Sequence, residues 1–94
     1  MTVKVTLRFF ARFGELLGTS LEMEGEEGMS VAALVQRAAS GNPEGYHALF
    51  DEEGEFRNFV IVMRNRKRIR TGDAGTVRIS EGDEIAVFPP VAGG

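Results

Sequence analysis

The residues with the clearest chemical potential stand at the end of the chain, Phe88-Pro89-Pro90-Val91-Ala92-Gly93-Gly94. Gly93 and Gly94 carry no Cβ, so nothing limits approach to the terminal carboxylate. Proline holds its φ at about −65° and biases the residue before it towards extended backbone. Phe88-Pro89-Pro90 should therefore leave the fold as a straight stalk. At about 3.3 Å per extended residue, Val91 to Gly94 carry the carboxylate roughly 13 Å from the body, thin enough to thread a narrow channel in another protein. The competing reading is a frayed terminus without function. Against it, the tail follows an apolar strand directly, with no polar linker between.

The rest of the chain offers no second centre of chemistry. It contains no cysteine, which excludes disulfides, thiolate nucleophiles, thiolate zinc sites and iron–sulfur clusters, and means that the chain cannot itself hold a thioester. His47, the single histidine, has no serine partner signalled by the sequence and reads as a surface or packing residue. Asp51-Glu52-Glu53-Gly54-Glu55 lacks the alternating ligand spacing of a calcium loop. No glycine cluster ends in the Gly-Lys-Ser/Thr of a phosphate loop, and no carboxylates stand in a recognisable acid–base pair. An enzyme acting alone is not expected, nor a bound metal or cofactor.

With 94 residues and 43% hydrophobic content, the chain is sized for one domain with one modest core. A net charge of −3 argues against a wholesale nucleic-acid binder. Charge is nonetheless uneven. Acids crowd Ser20 to Phe56 against Arg37 alone, whereas Arg57, Arg64, Arg66, Lys67, Arg68 and Arg70 follow with no acid among them. Such a basic stretch suits edge-strand protection, RNA contact or steering towards an acidic protein. No apolar run approaches the ~18 residues of a membrane span, and no signal-type segment opens the chain, so a cytoplasmic location is expected.

The elements that must position the tail read in order. Val3, Val5, Leu7 and Phe9 alternate with polar residues as a half-buried strand does. Ala11 to Gly18 reads as a connector, Ser20 to Glu24 as a second strand, and Gly25-Glu26-Glu27-Gly28 as a turn. Ser30 is a suitable N-cap for a helix from Val31 to Ala39, with Val31, Leu34, Val35 and Ala38 on one face. Gly41 and Pro43 end it, and Glu44 to Phe50 could add two helical turns with Tyr46, Leu49 and Phe50 inward. Phe59 to Met63 is a continuous apolar strand, covered on both faces or exposing apolar side chains. Asn65-Arg66 is a hairpin tip, Lys67 to Arg70 the return strand, Gly72 to Gly75 a turn, and Val77 to Ile79 a short strand. Glu81-Gly82-Asp83 turns into the last strand, Glu84 to Phe88.

Parity places Phe10 with Lys4, Thr6 and Arg8 on the outer face of the first strand, and Phe88 on the outer face of the last. If those strands lie parallel and adjacent, the two rings meet at the root of the stalk, as a docking surface for a tail-processing partner requires. The alternative is that one ring merely folds over an open core edge. Domain organisation reads as one α+β roll over residues 1–90, a mixed sheet with one main helix plus a short second helix, and a flexible diglycine tail over 91–94.

The tail, together with Phe9-Phe10-Ala11, the helix after Ser30 and the Glu81-Gly82-Asp83-Glu84 turn, resembles the ubiquitin-like sulfur-carrier and modifier family, which includes the molybdopterin synthase small subunit and the small archaeal modifier proteins. Leu49 to Glu55 and Met63-Arg64-Asn65 look more like the archaeal modifiers. The resemblance implies a ubiquitin-like β-grasp fold. It implies that Gly94 is adenylated at the cost of ATP by a ubiquitin-activating-type enzyme, then becomes a thiocarboxylate or an amide on a substrate lysine. Val91, Ala92 and Gly93 would be the tail that enters the enzyme, and Phe10, Phe88, Pro89 and Pro90 the partner-binding surface. Three readings follow: a lysine-directed modifier that also carries sulfur, a dedicated sulfur donor to the molybdopterin synthase large subunit, or a β-grasp interaction domain with an inert tail.

Overall fold

The computed structural model describes residues 1–90, and the expected tail at 91–94 lies outside the described residues. Val3, Val5, Leu7 and Phe9 point into the core along β1 (Thr2–Phe9), as their period-two spacing requires. β1 pairs antiparallel with β2 (Ser20–Glu26) and parallel with β5 (Glu84–Phe88). β5 pairs antiparallel with β3 (Ile61–Arg64), which pairs antiparallel with β4 (Lys67–Ile69). The order β2-β1-β5-β3-β4 makes a mixed sheet with the first and last strands side by side at its centre. No helix among the described residues is long and apolar enough to cross a membrane.

The main helix, second along the chain, is α2 (Val31–Ala39), which buries Val31, Leu34, Val35 and Ala39 in one cluster with Leu7, Ile85 and Val87. Ala39, not Ala38, is the fully buried alanine of that face. Ser30 Oγ accepts from Ala33 N at 3.1 Å, as an N-cap does. The two preceding amides, of Val31 and Ala32, donate to the carbonyls of Val77 (2.9 Å) and Ala74 (3.0 Å), so the 74–77 loop closes the helix start. α3 (Pro43–Leu49) begins at Asn42, whose Oδ1 accepts from Gly45 N at 3.0 Å. It leads into a small aromatic cluster in which Phe50 lies 5.0 Å from Tyr46 and 4.5 Å from Phe56, centroid to centroid.

Several stretches depart from the sequence expectation. Ala11 to Gly18 is not a plain connector but holds a third helix, α1 (Arg12–Leu17). Nothing local announces it: Ala11 provides no side-chain cap and takes φ 52°, and Gly14 sits inside the helix. That glycine is required by packing, because a Cβ there would lie 2.7 Å from the carbonyl oxygen of Phe9. The helix is held by tertiary contact instead, with Asn42 Nδ2 donating to Leu16 O at 2.7 Å.

Gly25 and Glu26 belong to β2 and not to a turn; Gly25 pairs with Val3, and a Cβ on it would meet Ile79 Cδ1 at 2.5 Å. The apolar run from Phe59 does not all become strand. β3 starts at Ile61, since Val60 N donates to Arg57 O in a turn and Phe59 stands in solvent. Val77 to Ile79 forms only a single bridge, Arg78 to Ser30, because it docks against the start of α2 and not along the sheet.

Candidate partner-docking site at the tail root

The β1–β5 register sets Arg8 beside Ala86 and Phe9 beside Val87, which brings Phe10 next to Phe88. Phe10 N extends the ladder by donating to Val87 O at 3.1 Å. The two rings are stacked, with centroids 4.3 Å apart and planes 10° from parallel, and both are half-buried. Such a stack contributes about 1 kcal/mol beyond the area it buries. Arg8 Cζ stands 5.2 Å from the Phe10 centroid, a cation facing a ring. Pro89 is half-buried and Pro90 exposed, so the chain leaves the sheet at the stack.

The apolar surface is wider than the two phenylalanines. The β3–β5 register sets Ile61 opposite Phe88 and Met63 opposite Ala86, all on the face of the sheet that bears no helix and all half-buried. Sequence reasoning did not single out Ile61 and Met63. The signal was present in the unbroken run from Phe59 to Met63, where alternate residues of a strand backed by a core on one face must show on the other. Around the patch the same face carries Glu22 and Glu24 on the β2 edge and Arg68, opposite Met63, on the β4 edge.

At the other end of β5 the chemistry reverses. Asp83 is 4% exposed, and its Oδ2 accepts from Arg64 Nε (2.9 Å) and Ser80 N (2.7 Å) while Oδ1 accepts from Asn65 Nδ2 (2.8 Å). Burial pushes its carboxyl upwards, but the bonds from Arg64, Asn65 and Ser80 and the Arg64 charge outweigh it and hold the group below the ordinary aspartate value. Arg64 is thereby withdrawn from the basic stretch, which reduces at the β3–β4 hairpin to the exposed Arg66, Lys67, Arg68 and Arg70. Asn65 and Arg66, at φ 50° and 72°, form the expected hairpin tip. His47 is exposed on α3, edge-on to Tyr46 at 6.0 Å. Among the described residues no group of His, Asp or Glu is placed to hold a metal ion.

Known proteins share both the sequence and the fold. Small archaeal modifier protein 3 of Haloferax volcanii is 30% identical over 98% of this chain and 100% of its own length. The molybdopterin synthase sulfur carrier subunit of Aedes aegypti is 33% identical over 98% of this chain and 90% of its own. The crystal structure of SAMP1 from Haloferax volcanii superposes with a TM-score of 0.82 at 25% identity, covering 97% of this chain and 99% of that one. The ubiquitin-like β-grasp fold expected from the resemblance is therefore the fold observed, with three helices in place of two. The ThiS family profile matches residues 7–94, from the middle of β1 to the final glycine, and the chain belongs to that family.

Proposed function

We propose that this chain is a ubiquitin-like protein modifier whose Gly94 is activated by a ubiquitin-activating-type enzyme and joined to lysines of target proteins, and that the same end can carry sulfur. The observation that supports it most is the Phe10–Phe88 stack at the point where Pro89 and Pro90 lead off the sheet towards Gly93 and Gly94. An aromatic pair set there gives a partner a grip at the base of the segment that it must thread.

The chemistry balances without a catalytic group on this chain. A Gly94 carboxylate oxygen attacks the α-phosphorus of ATP in the partner, and pyrophosphate leaves. A lysine amine then attacks the acyl-adenylate carbonyl, forming the amide as AMP and a proton depart. If hydrosulfide attacks instead, a C–S bond forms, AMP leaves, and the product is a thiocarboxylate. Since the chain has no cysteine, any thioester sits on a partner. ATP belongs to the activating enzyme, and a cytoplasmic setting supplies it.

A second reading, a dedicated small subunit delivering sulfur to a molybdopterin synthase large subunit, is favoured by the Aedes aegypti relative. Deleting Gly93 and Gly94 tests both against the inert-tail reading. Covalent conjugates on blots of cell extract, and the oxygen-to-sulfur mass shift after incubation with enzyme, ATP and sulfide, should both vanish while the melting temperature stays put. Conjugates without the mass shift would favour the modifier, and the shift without conjugates the synthase subunit. If deletion changes neither readout, the tail is inert.

A further inference from the structure

Resting on the activation reading above, we infer that the stalk is gripped on two sides, and that an open groove beside the Phe10–Phe88 surface receives an acidic, apolar-bearing peptide segment of the adenylating enzyme. The groove, of about 670 Å³, is walled by Arg12 of α1, His47 and Ala48 of α3, and Arg57, Phe59 and Pro89. Pro89, which lines the groove, directly follows Phe88 of the patch, so the two meet at the tail root.

Two features specify the occupant. The first is charge. Arg12 and Arg57 face the groove against Glu44, with Asp51, Glu52 and Glu53 bordering Arg57 on its other side in an adjoining hollow, and among the described residues neither arginine has a carboxylate within 4.0 Å. Arg57 is oriented by its Nε, which donates to His47 O at 2.6 Å, so its terminal amino groups remain to bind. The second is Phe59, 49% exposed; apart from Met1 it is the only large hydrophobic so exposed among the described residues. A segment with two or more Asp or Glu and an aliphatic or aromatic residue would pair with the arginines and cover Phe59 and Pro89. Contact on both sides of the stalk orients Pro89 and Pro90 on the enzyme more closely than contact on one surface does.

The test is ATP–pyrophosphate exchange by the adenylating enzyme of the same genome, with the full chain as varied substrate. Arg12→Glu with Arg57→Glu should raise KM about tenfold or more at low salt with kcat held, and the gap should narrow as salt rises. Phe59→Ser should raise KM about fivefold. Arg70→Glu with Arg78→Glu, the same charge change away from the tail root, should stay within about twofold of the parent. Because Arg57 also ties to His47, Arg12→Glu alone, at an exposed position, is the variant to read if the double variant melts early. Groove variants with parental KM, or a matched control that weakens equally, overturn the inference. A parent chain that is never adenylated overturns it together with the proposed function, whereas an adenylated parent indifferent to the groove overturns this inference alone.

Discussion

β5 starts directly after a buried carboxylate whose partners all lie within the chain; at its last residue, five on from that carboxylate, it carries an aromatic ring on half-open surface. Asp83 gathers Arg64 and Asn65 from the β3–β4 hairpin and Ser80 from the preceding turn, so that end of the sheet is closed by internal hydrogen bonds. Phe10 and Phe88 have each other, and their remaining ring surface faces outward with Ile61 and Met63 beside it. A buried polar group must be satisfied within the fold, whereas an apolar group left half in water is an unfinished contact. One end of the strand thus serves stability, and the other is the end that the proposed function gives to a partner.

That contrast can be broken by substitution. The largest effect expected is from Asp83→Ala, which strands the Ser80 amide and the Arg64 and Asn65 donors and should lower stability by about 3 kcal/mol. For a domain this size that corresponds to a drop of about 15 °C in melting temperature, while activation measured on the folded fraction is unchanged. Phe10→Ser with Phe88→Ser should do the reverse, cutting kcat/KM for activation about a hundredfold while costing about 2 kcal/mol in stability, the stack together with the burial of two rings that are already partly wet. If the phenylalanine variant loses more stability than the Asp83 variant, the two ends are not divided in this way.

The smallest effect sharpens the comparison through pH. Folding depresses the Asp83 pKa, so the unfolded chain binds this proton more readily than the folded one. The stabilisation is therefore complete above the ordinary aspartate value of 3.8 and fades as pH falls through the lower folded value. Melting curves should show this component below about pH 4 in the parent and lose it in Asp83→Asn. An identical acid limb in both proteins assigns the dependence to other carboxylates.

Much of this was legible along the chain. Alternation in β1 and β5 places Phe10 and Phe88 on the outer face, and Ser30 with the spacing of Val31, Leu34 and Val35 marks α2. What escaped was decided by contacts distant in sequence. α1 lacks a side-chain cap and contains a glycine, yet forms because Asn42 and α3 hold it. Gly25 looks like a turn residue and is a strand residue, because Ile79 occupies the space where a side chain would sit. Asp83 reads as one residue of the turn into the last strand, and only the approach of Arg64 and Asn65 makes it a buried anchor.

By itself the sequence determines the faces: side-chain parity is a property of the extended backbone, and the prolines and glycines set the character of the end wherever the body places it. The neighbours were decided only in three dimensions. The pairing of β1 with β5 stacks the rings, the pairing of β3 with β5 adds Ile61 and Met63, and the packing of α1 beside α3 brings Arg12 to Arg57. Those partners lie tens of residues apart, and a periodicity that repeats every two or four residues says which side of an element is covered and nothing of what covers it.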